Sequence, residues 1–204
     1  MPPLDLSDTP AESEEGGYHV LVSLLLVPLG CAAVVAGWVL YAMLALATPG
    51  GSYPETLPVS TFALPVVVGG VAAWPSYWVS RRLRACAVIQ MLLALQAICL
   101  LWLGAAQQAW EFALVAVGLG LAGGVISAGV AHIRSWAPQR WGGVVVGLHG
   151  AILAGGGLSW LLVPMVSQAY GWRVAAWSLI LPVAIVMLLL WLFVDPIKTH
   201  TANR

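Results

Sequence analysis

The sequence predicts an all-α membrane protein with six transmembrane helices. Three observations carry that expectation. Hydrophobic residues make up 61% of the 204-residue chain and charged residues 8%, whereas a soluble domain carries about 25% charged residues. Mean hydropathy is +0.93. The apolar residues fall into runs of the length a helix needs to cross a bilayer, about 20 residues, at roughly 19–47, 58–80, 86–104, 111–133, 142–168 and 174–194. Each run is expected to be helical, because an open strand edge in lipid leaves backbone groups unpaired.

The first span is long enough to tilt or to extend past the hydrocarbon. Turn chemistry separates the spans. Thr48-Pro49-Gly50-Gly51 closes the first and Ser80-Arg81-Arg82-Leu83-Arg84 the second. Gly104 to Gln108 closes the third and Ala137-Pro138-Gln139-Arg140 the fourth. Residues 1–17 contain five acids and neither Lys nor Arg. A secretory signal needs a basic start followed by an apolar core, so this stretch reads as a solvated, disordered tail. The expected organisation is the tail at 1–17, a six-helix domain at 18–196 and a second tail at 197–204.

With a cytoplasmic N-terminus, Arg81, Arg82, Arg84, Arg134, Arg140, Lys198 and Arg204 all face the cytoplasm and only Arg173 lies outside. That is the positive-inside pattern, and it places both termini in the cytoplasm of a bacterium-type inner membrane. Trp102, Trp110 and Trp172 then fall at the outer interface, and Trp78, Trp136, Trp141 and Trp191 at the inner one, as an aromatic belt.

The chemistry that is missing matters too. Net charge is zero, which leaves no basic footprint for nucleic acid. Cys31, Cys86 and Cys99 form no CxxC pair, and no cofactor or metal is implied. There is no HExxH, no G-x-S-x-G, no Walker loop and no paired carboxylates, so the sequence does not read as an enzyme. Glu111 and Asp195 fall at helix ends.

Two stripes of small residues suggest packing faces. Gly143, Gly147, Gly150, Ala154 and Gly157 recur at spacings of four, three, four and three in the fifth span; Gly120, Gly124, Ala128 and Ala131 form a similar stripe at spacings of four, four and three in the fourth. Lipid provides no hydrophobic drive between helices, so close backbone approach along small residues supplies much of the association. Both stripes are expected to pack tightly against neighbouring helices.

The order of motifs from the fourth span to the sixth resembles the major facilitator superfamily. A Gly-rich fourth span is followed by Trp136-Ala-Pro138-Gln-Arg140, similar to that family's W-x-P-x-R hinge. Gly147, Gly155-Gly156-Gly157, Pro164 and Gly171-Trp172-Arg173 follow in the family's order. The basic turn after the second span also sits where the family keeps its G-x-x-x-D-R-x-G-R-R loop. Here that loop reads Ala73-Trp-Pro-Ser-Tyr77-Trp78-Val-Ser80-Arg81-Arg82. Its aspartate falls on Tyr77, and only the terminal arginine pair matches. In the family that aspartate helps to latch two six-helix halves together.

The resemblance implies one half of such a bundle, an inverted 3+3 repeat, with substrate bound at the midplane between two halves. It therefore implies a half-size transporter of a small solute that pairs with itself or with another six-helix half. A non-transporting scaffold or assembly subunit of a larger membrane complex is the alternative. Ala131-His132-Ile133-Arg134-Ser135 and Gly147-Leu148-His149-Gly150 resemble the nitrate/nitrite porter signatures, with His where those have Asn. Those porters also use an arginine in the second helix, and residues 58–74 hold no Lys or Arg, which argues against nitrate.

The candidate pathway residues are His149, Ser127, Trp38 and Tyr41. His149 is the one ionisable side chain placed well inside a span, eight residues past Trp141 and so about 12 Å deep. Its charge changes near neutral pH, which suits a proton relay; a neutral imidazole bonded across the bundle is the plainer alternative. Trp38 and Tyr41 in the first span and Ser127 in the fourth lie where the resembled family lines its cavity, and packing is the other role open to them. His132 and Arg134 are expected at the interface, and Gln96 is expected to bridge helices.

Overall fold

The computed structural model of the chain describes residues 10–46, 60–136 and 141–194. Among the described residues all regular structure is helical. The helices are α1 (Pro10–Leu46), α2 (Ser60–Arg82), α3 (Ala85–Ala105), α4 (Ala109–Ala122), α5 (Gly124–Trp136), α6 (Trp141–Tyr170), α7 (Trp172–Ser178) and α8 (Ile180–Val194). α1 begins at Pro10, inside the stretch expected to be an unstructured tail.

Among the described residues, five stretches are long and apolar enough to cross a membrane: Leu24–Leu44, Ala85–Ala105, Ala109–Arg134, Gly150–Tyr170 and Trp172–Phe193. They mark the chain as an integral membrane protein. α2, the second of the six expected spans, is not one of the five. Its 23 residues span about 35 Å at the helical rise, enough for a hydrocarbon core of about 30 Å. It is less apolar, because Thr61, Ser76 and Ser80 sit on its inner face and Arg81 and Arg82 close its last turn.

Local chemistry explains the boundaries. Leu83 and Arg84 alone separate α2 from α3, so the two run antiparallel. The Glu111 carboxylate accepts the Gln107 and Gln108 backbone N–H groups at 2.7 and 2.9 Å, satisfying donors that the start of α4 leaves without partners. Gly171 ends α6 with φ +86°, a conformation that side chains with a Cβ rarely adopt. α7 and α8 divide at Leu179, three residues before Pro182, whose missing N–H leaves the Ser178 carbonyl without its helical donor.

Four helical units pack in a row. α2 lies against α4–α5, α4–α5 against α1, and α1 against α6. Two further units back this row: α3 packs on α4–α5 and on α7–α8, while α8 packs on α1. The core lies where α1, α3 and α4 meet, around Leu40, Leu44, Leu93, Leu100, Leu103, Val115 and Leu119, all at most 2% exposed. Gln96 of α3 is wholly buried there and donates its Nε2 proton to the Ala33 carbonyl of α1 at 2.7 Å, the expected bridge between helices. Trp102 and Trp110 meet edge to face at 6.3 Å at the end of the bundle where α3 joins α4.

One expected packing face is turned the other way. A methyl group placed on Gly143, Gly147, Gly150 or Gly157 would meet nothing within 4 Å, and all four glycines are exposed. The seam between α1 and α6 uses the opposite face of α6. There Gly155 rides against the backbone of Ala32, and the Ser159 hydroxyl donates to the Ala36 carbonyl at 3.0 Å. The run at 155–157 contributes to two faces of one helix, and spacing alone does not say which face meets α1.

Candidate functional site

The fourth span is interrupted at its middle. α4 contributes 14 residues and α5 contributes 13, with Gly123 alone between them. The Gly123 N–H reaches back three residues to the Gly120 carbonyl at 2.8 Å, and the Ile126 N–H reaches back three to the Gly123 carbonyl at 3.1 Å. These are tight-turn bonds rather than the four-residue bonds of an α-helix. The Leu119 carbonyl, whose regular helical donor would be the Gly123 N–H, instead accepts the indole N–H of Trp38 from α1 at 2.7 Å. In lipid, backbone groups freed by an interrupted helix are satisfied by neighbouring helices, and Trp38 does this here.

Glycines make room for the indole. A methyl group on Gly69 of α2 would lie 2.6 Å from the Trp38 ring, and one on Gly123 would lie 2.9 Å from Cη2. On Gly120 it would lie 2.6 Å from Val68 Cβ, and on Gly124 2.8 Å from Ser76 Cβ. α1, α2 and α4–α5 thus converge on one mid-span point, where Trp38 remains half-buried. One turn further along α1, Tyr41 is fully buried and its hydroxyl donates to the Phe112 carbonyl at 3.0 Å. Ser127 is half-buried, and its hydroxyl donates to the Gly124 carbonyl at 3.0 Å. That bond back along the helix loosens the turn just after the interruption.

Of the residues singled out in the sequence, Trp38, Ser127, Gly120 and Gly124 therefore come together at this point, with Tyr41 alongside. Arg81 and Arg82 lie apart from it, exposed at the end of α2, with the Arg82 guanidinium 3.9 Å over the Trp78 ring. Arg140 and the side chain of His149 lie outside the described residues. His132, expected at the interface, is 5% exposed and turned into the bundle, while Arg134 is exposed. Gly69, Gly123 and the Leu119 carbonyl were not singled out in the sequence. The Gly123-Gly124 doublet at the centre of the fourth span was the available signal. Among the described residues no cluster of His, Cys, Asp or Glu could hold a metal.

The site is built from neutral hydrogen-bonding groups, an indole and buried glycine backbone at the centre of a membrane span. Such an arrangement can shape a passage and hinge a helix, but its described residues offer no charged group to move a proton. No protein-family model matches the chain, and no solved structure matches it. The chain is similar to a protein named nitrite extrusion protein from Bacillus subtilis (strain 168), with 27% identity over 133 residues, 65% of this chain and 34% of that protein. The match thus spans about a third of the length of the curated relative.

Proposed function

We propose that the chain is a membrane transporter unit of the major facilitator type, which moves a small solute between its row of four spans and a second six-helix unit. The observation that carries this reading is the pairing of the helices. Exchange the first, second and third spans for the fourth, fifth and sixth. The α2 to α4–α5 seam then becomes the α6 to α1 seam. The α3 to α4–α5 seam becomes the α7–α8 to α1 seam, and the α3 to α7–α8 seam maps onto itself. These seams support an inverted 3+3 repeat, the plan of many secondary transporters. The similarity to a protein named for nitrite extrusion supports transport as the activity. The mid-span interruption under Trp38 is the kind of discontinuity around which transporters build binding sites.

The open small-residue face of α6 supports a second unit docked beside it, either a second copy of this chain or another six-helix half. The arginine-bearing ends of α2 and α5 then face the cytoplasm of an inner membrane, together with both termini. His149 is the proposed proton relay of that pathway. Tyr77 of α2, at the position of the resembled family's loop aspartate, favours the other reading, a non-transporting assembly subunit.

Reconstitution in proteoliposomes separates the two. A chain that transports gives solute-dependent flux with nitrite or with another small solute, and His149→Ala abolishes any accompanying proton movement. A stable monomer in mild detergent, with no flux alone or with a co-expressed six-helix partner, would rule out transport.

A further inference from the structure

The outer face of α2 carries a second, independent signal. Thr61, Pro65, Gly69, Ala72 and Ser80 form its buried face, and Ser76 packs on Gly124 beside them. Val67, Val71, Trp74 and Trp78 recur at spacings of four, three and four on the opposite face, exposed by 60, 72, 79 and 48%. Those spacings keep one side of a helix in register. Arg81 and Arg82 end the same face, both exposed. The Arg82 guanidinium stacks 3.9 Å over the Trp78 ring, a cation–π contact that holds it at the edge of the apolar stripe. Arg84 follows across the turn. The sequence from residue 60 to residue 194 holds a single acid, Glu111, which starts α4 at the other end of the bundle.

We propose that this face is a binding site for an anionic phospholipid, with the headgroup phosphate on Arg81 and Arg82 and an acyl chain along Trp78, Trp74, Val71 and Val67. The complementarity is one of charge and shape together. A pair of planar guanidinium cations, one of them, Arg82, stacked on Trp78, meets a phosphate at the depth where a Trp belt meets headgroups. The apolar stripe from Trp78 back to Val67, about 16 Å long at the helical rise, runs into the hydrocarbon below it. Basic clusters bordering a membrane span attract anionic headgroups, and here the cluster is joined to a fixed aromatic platform on one helix.

Native mass spectrometry of the full chain in mild detergent, titrated with phosphatidylglycerol or phosphatidylcholine, tests the site. The wild-type chain should retain phosphatidylglycerol in preference to phosphatidylcholine. Affinity should fall about 5-fold for each arginine removed and about 30-fold in Arg81→Gln/Arg82→Gln. Arg81→Lys/Arg82→Lys should keep much of the binding, and Trp78→Ala should weaken it. Arg173→Gln, at the opposite end, should leave it unchanged. Equal retention of the two lipids, or unaltered binding by the folded double Gln variant, overturns the proposal. So does displacement of the lipid by inorganic phosphate, which would assign the arginines to a free anion. A dimer cross-linked through Trp74→Cys in native membranes would give the face to a second copy and overturn it equally.

Discussion

Trp38 shows how one side chain can be read two ways. Its aromatic ring in an apolar span suits packing or cavity lining, and the structure adds a backbone role through the Leu119 carbonyl. Trp38→Phe keeps most of the ring and removes the donor, leaving a buried carbonyl short of its partner. We expect a loss of about 1–3 kcal/mol, read as a lowered unfolding midpoint in detergent. Trp38→Ala also empties the space against Gly69 and Gly123 and should cost about 3–5 kcal/mol. Gly155 and Gly157 form a second residue-scale contrast. A methyl group at Gly155 would lie 2.7 Å from the Ala32 Cα, whereas one at Gly157 meets open space. Gly155→Ala should therefore destabilise the bundle by about 1–3 kcal/mol through overpacking. Gly157→Ala should be neutral or slightly stabilising, since Ala favours helix by about 1 kcal/mol over Gly. Equal effects of the two substitutions on thermal unfolding would contradict the placement of the α1–α6 seam.

At the scale of the element, the interruption of the fourth span depends on α1 as much as on its own sequence. The Gly-rich composition of the span and its mid-span Gly123-Gly124 doublet were legible. The use of three-residue bonds at Gly123 was not, because an isolated glycine pair is equally at home in an unbroken helix packed closely on a neighbour. What decides the matter is the Trp38 indole, which takes the Leu119 carbonyl and occupies the space beside Gly123. Gly123→Ala and Trp38→Phe should therefore be coupled. In a double-mutant cycle on unfolding free energy, their effects should fall short of additivity by about 0.5–3 kcal/mol, as expected for residues in contact. Strict additivity would mean that Trp38 does not hold the interruption. α2 shows the opposite case. Its lower hydropathy follows from residues visible in the sequence; Thr61, Ser76 and Ser80 take the inner face, while valines, tryptophans and the terminal arginine pair face out.

For the whole molecule, the central position of α4–α5 and the peripheral one of α6 set the working surfaces. Of their membrane-spanning windows, 61% and 17% respectively are buried within the chain. The bare face of α6 is therefore where a second unit has most to cover, and the proposed pairing can be tested there. Gly150→Leu/Gly157→Leu should leave the folded monomer intact, since both sites face open space, and should abolish pairing in a sedimentation or single-molecule photobleaching measurement. If the wild-type chain is monomeric at every concentration, no such effect can appear and pairing of the chain with itself is lost. Composition and the lengths of the apolar runs were enough to determine a helical membrane protein and the approximate bounds of its helices, because the bilayer demands about 20 apolar residues per span and leaves no backbone group unpaired. The turn at Arg81 to Arg84 was equally legible, since a run of charge is a local property, whereas the left-handed backbone at Gly171 came from the structure. Only the tertiary structure decided which face of α6 meets α1, where the fourth span breaks, and that His132 turns inward. In lipid nearly every side of a span is apolar, so hydrophobic periodicity no longer separates inside from outside; contact between particular small residues and particular backbone carbonyls does.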